Sequence, residues 1–216
     1  MKLQVALDLI DLRRAMELTR ELCSAGLELI EVGTPLIKTY GLSAVSVMKT
    51  SCPTAEVLAD LKTADVGRLE ARLAKEFGAD WGTVLGATNI ETIEEFVSEG
   101  RAVGLKTAVD LIGVYNIVER VREIKNRISP DLFVLHMGID VQLKTGKTFI
   151  ELLQMAQRLR EEGVGVAIAG GITDREVKYL VENKIYVDVV VIGRYIVSDE
   201  SPKSKFIMIN NLLKYL

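Results

Sequence analysis

The stretch that decides the fold is Ala59-Asp60-Leu61-Lys62-Thr63-Ala64-Asp65-Val66-Gly67, which follows the short apolar pair Val57-Leu58. The apolar lead-in predicts a β-strand. Successive side chains of a strand alternate between its faces, so Asp60 and Lys62 are expected on the same face. Acids and a lysine where an apolar strand ends are costly to desolvate unless they pair or bind a ligand. A salt-bridged surface turn is the simpler interpretation, because ion-pair networks are common. The rest of the chain decides between these interpretations.

Strand and helix patterns alternate on both sides of this stretch. Candidate strands end near positions 8, 31, 60, 85, 110, 136, 169 and 193, and helical patterns follow them, including one over residues 40–50. Such strand-then-helix units indicate parallel strands joined by helical crossovers. An open doubly wound sheet also alternates in this way. The number and regularity of the units favour an α/β fold of the (β/α)8 TIM-barrel type, which we expect as a single domain over residues 1–216.

Composition excludes several classes of protein. The formal net charge is −3, and lysine and arginine are spread along the chain, so no basic surface for nucleic acid is predicted. No apolar run approaches the roughly 18 residues of a membrane-spanning helix, so no membrane association is expected. Cys23 and Cys52 have neither metal-ligand spacing nor the number for a disulfide framework. We therefore expect a soluble cytoplasmic protein with reduced thiols, in which Cys23 is a small core residue of the first helix.

The carboxyl ends of the strands in such a barrel open onto one face, where active sites lie. The candidate residues at these ends are Asp8, Glu31, Asp60, Lys62, Asp110, His136, Gly170, Gly171, Gly193 and Arg194. Strand ends lead into solvent-exposed loops, and this exposure alone would make a few of them polar. It does not explain why Asp60 and Lys62 share the inward face of one strand. The joint pattern predicts a functional site.

Two glycine-containing segments predict a phosphate-binding site. Ala169-Gly170-Gly171-Ile172 follows the seventh strand and Ile192-Gly193-Arg194 follows the eighth. Loops at these two positions of barrels often bind phosphate. Glycine lets backbone N–H groups approach the anion, and a guanidinium such as that of Arg194 can donate to two of its oxygens. Either segment alone is weak evidence, and together they indicate a phosphorylated substrate.

Four ionisable residues, Glu31, Asp60, Lys62 and His136, suggest the chemistry. Glu31 and Asp60 are oxygen ligands at neighbouring strand ends and could hold Mg²⁺, although one of them could instead pair with Lys62 with no metal present. His136 is the only histidine, which excludes a multi-histidine zinc site and leaves a candidate general base. Asp60 and Asp65 favour the ammonium form of Lys62, which disfavours Schiff-base chemistry.

With these residues in place, the sequence resembles the orotidine-monophosphate decarboxylase superfamily and, within it, the 3-hexulose-6-phosphate synthases. The matching segments span nearly the whole chain in order: residues 3–8, 31–35 and 59–67, His136-x-Gly138-x-Asp140, residues 169–172 and 192–194. Orotidine-monophosphate decarboxylases typically have Ile-Pro-Asn-Thr where this chain has Val66-Gly67-Arg68-Leu69. The synthases usually have threonine where this chain has Met137.

The resemblance implies an aldol reaction between ribulose 5-phosphate and formaldehyde that is reversible. It implies Mg²⁺ held by Glu31 and Asp60, proton removal beside the carbonyl by His136, and stabilisation of the resulting enediolate by the metal and Lys62. Asp8 is expected to orient substrate hydroxyls. Asp65 is expected to enter the neighbouring subunit's site, which makes the active species a homodimer with shared active sites.

Three other functions remain open. A Mg²⁺-dependent decarboxylase of 3-keto-gulonate 6-phosphate would release CO₂, and an orotidine 5'-monophosphate decarboxylase would need no metal. A barrel that senses a sugar phosphate without turning it over would need only the phosphate loops. Presence of the whole acid, lysine and histidine set favours an enzyme over such a sensor.

Overall fold

The computed structural model of the chain describes residues 1–136 and 149–214. Over these residues the structure is a closed barrel of eight parallel strands in chain order, so the predicted (β/α)8 fold is confirmed. The strands are β1 (Lys2–Leu7), β2 (Leu29–Val32), β3 (Glu56–Thr63), β4 (Trp81–Leu85), β5 (Lys106–Asp110), β6 (Leu132–His136), β7 (Val166–Ala169) and β8 (Val189–Ile192). Pairing of Val5 in β1 with Ile192 in β8 closes the barrel.

Helices follow the strands and cover the outside of the barrel. They are α1 (Leu12–Cys23), α2 (Thr34–Tyr40), α3 (Ser43–Ser51), α4 (Gly67–Glu76), α5 (Ile90–Val103), α6 (Ile117–Arg127), α7 (Phe149–Glu161), α8 (Asp174–Glu182), α9 (Arg194–Val197) and α10 (Pro202–Leu213). No helix among the described residues is both long and apolar enough to cross a membrane.

Strand side chains divide between two apolar cores. Outward residues such as Val5, Val57 and Val109 are buried against the helices. The inward residues form a separate cluster inside the barrel: Ala6, Leu29, Leu58, Ala108, Leu132, Val134, Ala167, Ala169, Val189 and Val191, with Trp81 packed against it. This alternation follows from the period of two along a strand. The inner cluster fills the barrel interior directly below the polar residues at the strand ends.

The helix predicted over residues 40–50 corresponds to α3, and α2 is a separate helix before it that was not predicted. Thr34 and Pro35 open α2, since the fixed φ of proline suits the first helical turn. Gly41, at φ +65°, ends α2 before α3 begins. Pro35 gave no helix signal in the sequence, because proline is as favourable in a turn as at a helix start.

The expectation of reduced thiols is also wrong. Cys23 and Cys52 form a disulfide, with their Cα atoms 5.6 Å apart. Cys23 is the last residue of α1 and Cys52 caps the C-terminus of α3. The helices α1 and α3 pack side by side, which brings together two cysteines that are 29 residues apart in sequence. Their spacing alone gave no signal, because the pairing depends on how the two helices pack.

Candidate active site

The polar strand ends meet in a cavity of about 500 Å³ at the C-terminal face of the barrel. A volume of this size suits a small-molecule ligand. Its polar lining includes Asp8, Glu31, Asp60 and His136, and loops after β7 and β8 form its rim. The apolar floor is made of Ala6, Leu58, Val134, Ala169 and Val191. The cavity therefore has an ionisable side and a loop side above an apolar base.

A bulge in β3 places Lys62 beside Asp60. The register of β3 with β4 shifts between Ala59 and Thr63, and Lys62 has φ +47°. A positive φ is strained for a residue with a side chain, and such strain is typical of functional sites. The Lys62 backbone N–H donates to Thr83 Oγ1 at 2.9 Å, and its ammonium lies 2.5 Å from Asp60 Oδ2. The bulge turns both side chains to the barrel interior, as expected.

The Asp60 carboxylate accepts hydrogen bonds at both oxygens. Thr34 Oγ1 donates to Oδ2 at 2.7 Å, and Thr83 Oγ1 donates to Oδ1 at 3.0 Å. Asp60 is buried, with 3% of its surface exposed. Buried carboxylates are stable when charged partners and donors surround them. These contacts hold Asp60 in one orientation at the edge of the cavity.

Asp110 joins the lysine to the histidine. Its Oδ2 lies 3.0 Å from His136 Nδ1 and 3.3 Å from Lys62 Nζ, and its Oδ1 accepts from the Ile112 N–H at 2.9 Å. Burial opposes ionisation of Asp110, but the hydrogen bond with His136 and the charges of His136 and Lys62 lower its pKa. Burial would lower the pKa of Lys62, yet Asp60 and Asp110 raise it, so Lys62 is an ammonium ion.

Three carboxylates crowd one side of the cavity. Burial is the largest cause that raises the pKa of Glu31 well above its ordinary value, and Asp60 and Asp8 raise it further. Desolvation and the neighbouring Asp60 also raise the pKa of Asp8. Carboxylates that repel one another in this way are hard oxygen donors whose repulsion a cation relieves. The donor set fits Mg²⁺ held by Glu31 and Asp60. Among residues 1–136 and 149–214, no three ligating side chains form a ready-made metal cluster, and Mg²⁺ needs only one or two carboxylates besides substrate oxygens.

Close packing with glycine positions the carboxylate of Asp8. A Cβ atom built on Gly33 would lie 2.3 Å from Asp8 Oδ1, and one on Gly193 would lie 3.5 Å from Oδ2. Only glycine at position 33 lets the loop after β2 approach the end of β1 this closely. Asp8 is thereby held at the mouth of the cavity, between the ends of β2 and β8.

The loops after β7 and β8 form the predicted phosphate-binding side. Gly170 and Gly171 have φ of +109° and +64°, a conformation that favours glycine. Consecutive backbone N–H groups in such conformations can form an anion-binding concavity. Gly193 and Arg194 lie at the start of α9, directly after the neighbouring strand β8. Arg194 lines the cavity and forms no ion pair with the described residues, so its guanidinium is available to a phosphate.

The structure does not bring Asp65 into the cavity of its own chain. Its Oδ1 accepts the Val66 N–H at 2.8 Å, and it lines a separate surface depression at the start of α4. Met137, Gly138 and Asp140, the remaining part of the histidine motif, lie outside the described residues. The role predicted for Asp65 stays a prediction.

Sequence reasoning missed three residues of the site: Gln4, Thr34 and Thr83. Asp110 was recognised as a strand end but received no role, because its partners become visible only when β5, β6 and the bulge of β3 are assembled. The two threonines and the glutamine have no signal in a single sequence, since these residue types are common on strands and at helix starts.

The fold and the site are those of an α/β-barrel protein with an acid, lysine and histidine centre and two glycine-containing loops at the rim of one cavity. The chain belongs to the Orotidine 5'-phosphate decarboxylase / HUMPS family, whose model matches residues 1–207.

Relatives within this family include named synthases. The chain is 37% identical over 198 residues to the 3-hexulose-6-phosphate synthase of Bacillus subtilis, covering 92% of this chain and 91% of that protein. It is 37% identical over 199 residues to the bifunctional enzyme Fae/Hps of Methanoculleus marisnigri, and there spans only 49% of the relative's length. The crystal structure of 3-hexulose-6-phosphate synthase from Salmonella typhimurium superposes with a TM-score of 0.90, at 34% identity and 99% coverage of both chains.

Proposed function

We propose that this chain is an aldehyde-lyase of the 3-hexulose-6-phosphate synthase type, which joins ribulose 5-phosphate and formaldehyde to give 3-hexulose 6-phosphate and can run in reverse. The observation that carries the proposal is the chain of contacts from Asp60 through Lys62 and Asp110 to His136, set opposite the two phosphate loops. Similarity to named synthases over almost the whole chain supports it.

His136 acts as the general base. Asp110 holds Nδ1 of the imidazole, so in the tautomer that donates this hydrogen bond Nε2 has a free lone pair. His136 lines the cavity. Nε2 removes the proton from the carbon beside the carbonyl of the bound sugar phosphate, and the resulting carbanion equivalent adds to the formaldehyde carbon. The formaldehyde oxygen becomes an alkoxide, which takes up a proton from the imidazolium and so returns His136 to its neutral form. The imidazolium that forms is stabilised by the Asp110 carboxylate.

Lys62 supplies positive charge and not a nucleophile. Its raised pKa keeps it protonated, which excludes the free amine that an imine would require. A fixed ammonium ion inside a cavity stabilises the negative charge that develops on the sugar oxygens as the proton leaves. Asp60 and Asp110 set its position. Asp8 accepts hydrogen bonds from substrate hydroxyls at the mouth of the cavity.

Glu31 and Asp60 would hold Mg²⁺, which supplies Lewis-acid polarisation of the substrate oxygens when bound. Support for this assignment is the crowding of carboxylates around Glu31, whose pKa is raised by burial first and then by repulsion from Asp60 and Asp8.

The test is consumption of ribulose 5-phosphate and formaldehyde with Mg²⁺ and then with excess EDTA. We expect loss of both reactants with Mg²⁺, strong inhibition by EDTA, and loss of turnover in His136→Ala and in Lys62→Ala. CO₂ release from 3-keto-gulonate 6-phosphate without formaldehyde addition would contradict the proposal and indicate the decarboxylase. Turnover of orotidine 5'-monophosphate that resists EDTA would indicate the nucleotide decarboxylase. Tight sugar-phosphate binding with no turnover of any of these substrates would indicate a sensor.

We also propose that the active species is a homodimer in which Asp65 enters the partner's cavity. Asp65 lies outside its own cavity, and the residues near it, Val66 and Leu69, are each 54% exposed. Exposed apolar side chains of this size are typical of protein interfaces. A cytoplasmic location stays a prediction. Disulfides are rare in the cytoplasm outside hyperthermophiles, so the Cys23–Cys52 bond fits that location only for a heat-adapted source.

A further inference from the structure

Gln4 is a buried polar residue in the otherwise apolar interior of the barrel. Its residue surface is 3% exposed, and it lines the floor of the cavity. Ala6 of β1 is in register with Glu31 of β2, so Gln4 stands one inward position below Glu31 on the neighbouring strand. The residues in register with Gln4 on the two neighbouring strands, Leu29 and Val191, are apolar. A glutamine in this position requires an explanation.

The amide of Gln4 makes one strong contact and leaves one atom unsatisfied. Nε2 donates to Glu31 Oε2 at 2.6 Å. The carbonyl Oε1 is buried and has no hydrogen-bond partner among the described residues. An unsatisfied buried carbonyl destabilises a fold, whereas an apolar side chain of the same size would pack on this floor without that cost. Packing inside the barrel therefore does not favour glutamine at this position. The hydrogen bond to Glu31 does favour it.

The surroundings of Glu31 show what this contact achieves. Asp60 and Asp8 face the same side of the cavity and repel the Glu31 carboxylate. Within the described residues, the Gln4 amide is the hydrogen-bond donor to the side chain of Glu31. It occupies Oε2 and leaves Oε1 without a donor among residues 1–136 and 149–214. A carboxylate fixed through one oxygen, with the other free, is the arrangement of a metal ligand held by an outer-shell partner.

We propose that Gln4 is a positioning residue that holds Glu31 ready to bind a divalent cation, at a cost in fold stability. This inference rests on the cation assignment in the proposed function. The glutamine side chain is long enough to reach Glu31, which lies one inward position higher on the neighbouring strand. Asparagine carries the same amide on a side chain shorter by about 1.5 Å, one carbon–carbon bond, so it keeps the polarity and loses the contact.

Titration of the purified protein with Mn²⁺, followed by electron paramagnetic resonance without substrate, tests this role. We expect Gln4→Met to bind Mn²⁺ about 10-fold or more weakly than the unaltered protein, the usual effect of losing an outer-shell partner. Its midpoint of thermal unfolding should stay the same or rise by roughly 2–4 °C, because the unsatisfied carbonyl is gone. Gln4→Asn should also bind Mn²⁺ weakly. Leu58→Met, a volume-conserving change on the same floor, is the matched control and should retain the Mn²⁺ affinity of the unaltered protein.

Two results would overturn the inference. The first concerns Gln4 alone, and the second also concerns the proposed cation site. Mn²⁺ affinity that is unchanged in Gln4→Met and Gln4→Asn, with or without a lower unfolding midpoint, means that Gln4 serves only packing, while the proposed function stands. Absence of Mn²⁺ binding to the unaltered protein removes the cation assignment of the proposed function together with the role of Gln4.

Discussion

At the scale of single residues, Asp110 links the two charged groups of the proposed chemistry. One of its oxygens contacts both His136 and Lys62, and the other is held by the backbone N–H of Ile112. The carboxylate thus fixes the imidazole in one orientation and forms an ion pair with the lysine ammonium. An amide at this position would keep the shape and remove the negative charge.

Asp110→Asn is expected to lower kcat by about 10²- to 10⁴-fold, the range typical for loss of an oriented general base. The change should affect KM much less, since the phosphate loops are untouched. Steady-state kinetics with ribulose 5-phosphate and formaldehyde measures both constants. The matched control is Asp131→Asn. Asp131 accepts hydrogen bonds from the N–H and hydroxyl of Thr107, at the opposite end of β5. The assignment is wrong if both variants lower kcat equally.

At the scale of elements, the disulfide ties α1 to the end of α3, directly before β3. Cys52 is fully buried, and Thr54 Oγ1 lies 3.6 Å from the sulfur of each cysteine. β3 carries Asp60 and Lys62 at its other end. The covalent link therefore stabilises the packing of α1 against α3, the helix that precedes β3 and packs against it.

Reduction of this disulfide should destabilise the fold without abolishing it. The bond closes a loop of 29 residues, for which loop-closure entropy predicts a loss of about 3–4 kcal/mol on reduction. For a chain of this length the unfolding midpoint should fall by roughly 6–16 °C. Calorimetry with and without dithiothreitol measures the shift, and Cys23→Ser should melt at the lower temperature under both conditions. Two titratable thiols in the denatured protein without reductant would contradict the pairing.

At the scale of the whole molecule, closure of the barrel creates the site. The contributing strand ends come from residue 8 to residue 194, and ring order brings β1, β2 and β3 together on the acidic side and β7, β8 on the phosphate side. Asp65 is the residue of the predicted set that this closure leaves out. A second copy of the chain is required to give it a role in catalysis.

Mixing two inactive variants tests the shared site. Asp65→Ala and His136→Ala should each be nearly inactive alone. If the sites are shared, a heterodimer contains one intact site, and an equal mixture after subunit exchange should recover about a quarter of the full activity, as expected for a two-fold symmetric dimer. The control is a mixture of His136→Ala with Lys62→Ala, whose side chains contact the same Asp110 within one chain and should not complement. A fully active monomer in light scattering would refute the shared site.

The sequence by itself determined the fold and most of the candidate site. Apolar strands recurring with helices between them require parallel pairing, and parallel strands expose their carboxyl ends on one face. The polar ends at Asp8, Glu31, Asp60 and His136 could therefore be placed in one cavity before any coordinates were known. Alternation within β3 likewise placed Asp60 and Lys62 together.

Only the tertiary structure decided which of these groups touch. The contact of Asp110 with His136, the amide of Gln4 on Glu31, and the Cys23–Cys52 bond all join residues on separate elements. Distances of this kind depend on strand register, on the bulge at Lys62 and on how α1 packs against α3. Periodicity in the sequence predicts which face of an element a side chain lies on. Hydrogen bonds require donor and acceptor atoms to lie within about 3 Å of each other. Side chains on different strands reach such distances only once the barrel has closed.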